Sequence, residues 1–173
     1  MLAVLLLVIL AGSMFLASPR PSGRAEARDA AMRMRAMLTA ALTEAETNGG
    51  DVIVRAEATP GSARNGRFLA LAGPPGITAG DDPDADWVDL EGGVAWRAGT
   101  ATIDPMGAPT DGRVPGTVRC TAAACETGSA DYVVYPVGHL RSAGVSWALM
   151  ITRERGVQLF RWDQQAGGWE AAR

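Results

Sequence analysis

Lysine is missing from this chain, and all sixteen basic residues are arginine. That uniformity reads as the codon bias of a GC-rich genome rather than selection for two-pronged contacts to phosphate or carboxylate. Histidine is scarce, with His139 alone, and cysteine occurs twice, at Cys120 and Cys125. One histidine and one cysteine pair cannot fill the four positions of a structural zinc site, so they predict no metal centre. Aromatic residues make up 6% of the sequence, and a net charge of −3 gives little hold on nucleic-acid phosphates. There is no Gly-x-Ser-x-Gly turn, no cysteine–histidine pair in a suitable context and no glycine-rich phosphate loop. General-base chemistry at His139 would need a nucleophile or acid held beside it. It reads instead as a surface or strand-end residue. An enzyme is the least supported reading, and no cofactor is expected.

What the chain does contain is a segment of eighteen uncharged residues, Met1 to Ser18. As a helix it would reach about 27 Å, slightly less than the roughly 30 Å hydrocarbon layer of a membrane. A cleaved signal peptide carries basic residues before its apolar stretch and a small-x-small site after it. Here Met1 alone precedes the stretch, and Leu16-Ala17-Ser18 runs into Pro19. Pro19 and Pro21 interrupt a helix, because each lacks an amide donor and crowds the turn before it. Ser22 or Gly23 can cap a new helix from Arg24 to about Thr47. Its positions Ala27, Ala30, Met34, Met37, Leu38, Ala41 and Ala45 form a helical stripe, with Arg24, Arg28, Arg35, Glu44 and Glu46 mostly off it. That stripe predicts packing against a sheet. Asn48-Gly49-Gly50 is a stop. The 173 residues therefore divide into a transmembrane or filament-core segment (1–18), an amphipathic helix (19–48) and a β-rich head (49–173).

In the head, strands are predicted at Val52–Val54, Phe68–Leu71, Trp87–Leu90, Val94–Trp96 and Thr100–Asp104. Residues 108–129 read as turn-rich. Tyr132–Tyr135 is a further strand, and Val145–Thr152 with Val157–Trp162 predicts a hairpin around Arg153-Glu154-Arg155-Gly156. Cys120 and Cys125 either close a small disulfide loop, if the head lies outside the cytoplasm, or remain two free thiols. Asp81, Asp82, Asp84, Asp86, Asp89 and Glu91 crowd into one loop. It lacks the calcium-loop spacing with a closing glutamate, so a solvated acidic loop is the expectation. The five tryptophans are expected mainly in the sheet interior.

Met1-Leu2-Ala3-Val4-Leu5-Leu6-Leu7-Val8-Ile9 resembles the N-terminal helix of type IV pilins and type II secretion pseudopilins, just after their processing motif. Trp87 to Val94 is similar to a tryptophan strand and leucine-x-glycine-valine turn of the H-class pseudopilins (GspH) and FimT-type minor pilins. Tyr135-Pro136-Val137-Gly138-His139-Leu140-Arg141 resembles their phenylalanine-x-proline-x-glycine strand end, with tyrosine for phenylalanine. The closing hairpin and Gly167-Gly168-Trp169 resemble their glycine-containing tail. The resemblance implies an α+β, pilin-like fold: a long N-terminal hydrophobic and amphipathic helix on an antiparallel sheet domain. It implies a structural minor subunit of a secretion pseudopilus or pilus, in the bacterial inner membrane with a periplasmic head. Its partners would be other pseudopilins or pilins, and a prepilin peptidase would process it. Leu2, Val4, Leu5, Leu7, Val8 and Leu10 would then build the filament core. The family's leader and glutamate are absent here. A start at an internal methionine is the expected reason, and restoring about five residues would give a full spanning length. Arg20, Arg24 and Arg28 would place that flank in the cytoplasm by the positive-inside rule, whereas the family places it outside. A signal-anchored extracytoplasmic binding domain is the alternative. So is a DNA-binding FimT-type pilin using Arg141, Arg153, Arg155 and Arg161, although nucleic acid is not the expected partner.

Overall fold

The computed structural model describes residues 23–58, 65–78, 86–96, 116–128, 130–140, 147–163 and 167–172. The apolar segment with Leu2, Val4, Leu5, Leu7, Val8 and Leu10 lies outside the described residues. So do Thr100–Asp104, Arg141 and the acidic residues Asp81, Asp82 and Asp84.

One helix, α1, spans Gly23–Asn48. It stops where Gly49 takes a φ of 68°, a conformation open to glycine, and Gly50 donates its N–H to the Ala45 carbonyl at 2.8 Å. Nine strands follow: β1 (Asp51–Glu57), β2 (Arg67–Gly73), β3 (Val88–Asp89), β4 (Val94–Trp96), β5 (Thr117–Cys120), β6 (Tyr132–His139), β7 (Trp147–Thr152), β8 (Val157–Asp163) and β9 (Gly168–Ala171). They form two antiparallel sheets, one ordered β3-β2-β1-β5 and the other β4-β6-β7-β8-β9.

This corrects the expected fold class. The pilin-like expectation was a long hydrophobic helix on a sheet domain. Among the described residues the fold is mostly β, with two sheets of four and five strands and one helix. No described helix is long and apolar enough to cross a membrane. The cause is plain in α1, where Arg24, Glu26, Arg28, Asp29, Arg33, Arg35, Glu44 and Glu46 are spread along its length.

The two sheets share one core because α1 packs on strands of both: on β1 and β2 of the first, on β6, β7 and β8 of the second. Its inward face is Ala27, Ala30, Ala31, Met34, Leu38, Ala41, Leu42 and Ala45. Five of those eight are alanine, which lets the helix backbone sit close to both sheets. Alternate residues meet it: Val52, Val54 and Ala56 from β1, Phe68 and Ala70 from β2, Tyr135 and Val137 from β6, Leu149 and Ile151 from β7. Each large side chain fully buried this way contributes about 1.5–3 kcal/mol of transfer free energy. The second sheet is apolar on its other face too, where Val134, Ala148, Met150 and Phe160 cluster with Tyr132 and Trp169. Burial on both faces removes the period-2 pattern from β6 and β7, so their sequence reads as nearly continuous apolar runs.

Side chains also tie the sheets directly. Trp96 on β4 donates its indole N–H to the Glu57 carbonyl on β1 at 2.9 Å. At the other end Cys120 and Cys125 form a disulfide, both sulfurs' residues buried. The loop they close is docked on the second sheet: Cys125 donates its N–H to the Arg153 carbonyl at 2.8 Å, and Arg155 donates to the Ala122 carbonyl at 3.2 Å. Arg155 also donates to the Leu42 carbonyl of α1 at 3.2 Å. One arginine thus joins helix, cysteine loop and hairpin.

Two predictions follow from this core. Tyr135 is fully buried, edge-on to Phe68 at 5.4 Å, and its hydroxyl has no hydrogen-bond partner. Burial pushes its ionisation up. An unpaired buried hydroxyl costs about 1–3 kcal/mol, so Tyr135→Phe should stabilise the chain by about 1 kcal/mol in urea unfolding. The phenol is held neutral in the native state but ionises near pH 10 once unfolded. The tyrosine chain therefore keeps its full stability below that pH and loses it as pH rises further, an alkaline arm that Tyr135→Phe should flatten. Separately, Cys120→Ser with Cys125→Ser should cost about 2 kcal/mol, the closure term for so short a loop, read by the same unfolding.

Candidate interaction face

Opposite its buried stripe, α1 carries a second stripe that faces outward. Met32, Ala36, Thr39, Ala40 and Thr43 line an open groove, with Arg35 and Glu44 at its margins. Met32 is 43% exposed, one of the two exposed large apolar side chains among the described residues. Thr43, and Thr47 a turn beyond the groove, are polar by type but not by presentation. Thr43 donates its hydroxyl to the Thr39 carbonyl at 2.9 Å, and Thr47 donates to the Thr43 carbonyl at 2.9 Å. Hydroxyls bonded to their own helix leave little polar character for a partner. The result is a shallow, small-residue helix face suited to close approach by another helix, the spacing that lets backbones come near. The signal for it was in the sequence, as positions 36, 39, 40, 43 and 47 fall one turn apart. Alanine and threonine are weak markers, and the buried stripe, itself mostly alanine, is marked by Met34 and Leu38.

The helix start is fixed by a second cluster. His139, at the end of β6, lies with its Nε2 3.5 Å from Glu26 Oε2 in the first turn of α1, both side chains mostly buried. Glu26 Oε2 makes no hydrogen bond. The ring is enclosed by glycines: a Cβ at Gly93 would lie 2.7 Å from His139 Nε2, and one at Gly23 would collide with the ring. Leu140 donates its N–H to the Gly93 carbonyl at 2.7 Å. His139 is thus a strand-end residue wedged between helix and turn, with Glu26 against its ring.

The four arginines singled out for nucleic acid do not form an open basic patch among the described residues. Arg153 faces Asp131 at 3.6 Å and donates to the Gly128 and Ala130 carbonyls. Arg155 is spent on Ala122 and Leu42, and Arg161 pairs with Glu170 at 2.6 Å. Arg141 lies outside the described residues. Two arginines the sequence did not single out, Arg55 and Arg67, stand over the Trp87 ring, Arg67 at 4.0 Å, and both pair with Glu57. That cluster is partly offset, two guanidinium groups sharing one carboxylate. Of the acidic loop, Asp86, Asp89 and Glu91 are described, and no group of three or more His, Cys, Asp or Glu able to hold a metal occurs among the described residues. Trp147 is buried, Trp96 packs against the core, and Trp162 stacks edge-on with Trp169 at 5.4 Å.

The chain matches no family model, no curated protein and no solved structure.

Gly93 and Gly76 both have positive φ, 100° and 85°, but a Cβ at Gly76 meets open space. Gly76→Ala should therefore show the backbone cost alone, about 1–2 kcal/mol. Gly93→Ala should cost clearly more in urea unfolding, because His139 must also move.

Proposed function

We propose that this chain is a structural minor subunit of a pilin-type filament, of the H-class pseudopilin or minor-pilin kind, serving protein secretion or a pilus and carrying no enzymatic activity. The observation that carries the reading is one of adjacency. An uncharged segment, Met1–Ser18, lies four residues before a helix with two working faces, one buried under the head and one open. The apolar segment would hold the subunit in the inner membrane before assembly, with the head on the periplasmic side. It would then pack beside the same segment of other pilin-like subunits, trading contact with lipid for contact with protein, through Leu2, Val4, Leu5, Leu7, Val8 and Leu10. By the resemblance, a prepilin peptidase would process an upstream leader. The Cys120–Cys125 disulfide supports an oxidising compartment for the head. A signal-anchored binding domain remains the competing class, and one experiment separates the two.

A photo-crosslinker at Leu7 or Leu10 of the full chain, expressed in cells that carry the other pilin-like proteins, should link it to those proteins. Recovery of a soluble product cleaved after Ser18, or of no pilin-like partner, would contradict the proposal. Leu7→Arg should shift the chain out of the membrane fraction, since arginine at the centre of a spanning segment costs about 2.5–3.5 kcal/mol on insertion.

A further inference from the structure

The outer face of α1 is complementary to itself. Over residues 32–47 its charges are sorted by position: Arg33 and Arg35 lie before the midpoint of the stripe, Glu44 and Glu46 after it, with Arg28 and Asp29 a turn further toward the helix start. The opposition to the helix macrodipole is at the C-terminal end, where Glu44 and Glu46 lie by the negative pole and no basic residue sits in the last turn; the first turn carries the favourable acid Glu26. None of Arg33, Arg35, Glu44 and Glu46 has an ion-pair partner among the described residues. Arg33, Glu44 and Glu46 are exposed and Arg35 half-buried.

Their lateral placement matters as much as their order. Arg33 and Glu44 are separated by about three turns and so share one flank of the groove, while Arg35 and Glu46 share the other flank by the same spacing. Between the flanks run Ala36, Thr39, Ala40 and Thr43, with no charge. We propose that this face binds the same face of a second copy, antiparallel, about a two-fold axis near Thr39 and Ala40. Arg33 then meets Glu44 of the partner subunit, Arg35 meets Glu46 of the partner subunit, and the symmetry repeats both pairs. A two-fold contact of this kind is closed, so it stops at a dimer. Antiparallel helices also set their macrodipoles in opposition, which relieves the unfavourable C-terminal acids of each. A parallel pair in register would instead bring arginine against arginine and glutamate against glutamate along both flanks. The small residues at the crossing let the helix axes approach. This inference does not rest on the filament reading: it concerns the outer face of α1 and would describe the subunit outside any filament.

Cysteine cross-linking of the full chain in detergent micelles tests it, because the native cysteines are already joined. Ala40→Cys should give a disulfide-linked dimer on oxidation with copper phenanthroline in air. Met32→Cys alone and Thr47→Cys alone should not, because like positions lie more than roughly 20 Å apart along an antiparallel pair. A mixture of those two variants should cross-link. In the Ala40→Cys background, R33E/R35E and E44R/E46R should each lower dimer yield by roughly tenfold, since four weak surface pairs become four repulsions. Mixing the two charge variants should restore it. Cross-linking of Met32→Cys alone as readily as Ala40→Cys would show a parallel pair and overturn the proposal. So would a folded Ala40→Cys chain that forms no dimer, or links only to a different polypeptide in cells.

Discussion

Everything in this structure depends on one helix being shared by two sheets. Neither sheet covers its own apolar face, and α1 supplies the missing surface to both, through alanines that keep the layers close and a few large residues, Met34 and Leu38 foremost. A helix buried along one stripe by two separate sheets is held from several directions. That frees its opposite stripe to carry features that packing would not tolerate, such as acids at the C-terminal end and bonded-back threonines. The two faces are therefore coupled: the alanine-rich side fixes the helix, and the fixed helix presents the other side in a defined orientation.

The connections that lock this arrangement sit at its two ends. At one, Glu26 meets His139 in a space only glycines leave open, and Trp96 reaches across to Glu57. At the other, Arg155 gathers the Leu42 carbonyl, the cysteine loop and the β7–β8 turn. Of the arginines considered for nucleic acid, Arg155 is the one engaged in this work. Arg153 and Arg161 pair with carboxylates at the surface, and the interior retains polar atoms with no hydrogen bond, among them the Tyr135 hydroxyl, Glu26 Oε2 and Arg155 Nε. Phenylalanine at position 135 would remove the first of these.

Much of the secondary structure was legible. The helix from Arg24 to Thr47 is found as Gly23–Asn48, because its stripe and its glycine stop are strong local signals, and the hairpin around 153–156 lies where its turn residues place it. What the sequence did not reveal is how the strands divide. β5 is four residues in a stretch that reads as turns, held by pairing with β1 rather than by its own propensity. β9 is edge pairing of a glycine-bearing tail. Sheet membership depends on long-range pairing such as Val52 with Cys120 and Val94 with His139, which no local pattern encodes. Among the described residues, two sheets around a charged helix stand where a pilin-type fold led us to expect a long apolar helix on one sheet domain. The outer face of α1 was missed because alanine and threonine carry little weight in any periodicity count.

The most direct test of the shared core is residue-by-residue hydrogen exchange of the Leu38→Ala chain. Removing a fully buried leucine from a packed core costs about 2–5 kcal/mol. If α1 binds both sheets into one unit, protection should fall together, and by the same free energy, in β1 and β2 of one sheet and in β6 and β7 of the other. Loss confined to one sheet, with the other keeping its full protection, would show two independent units and contradict the account.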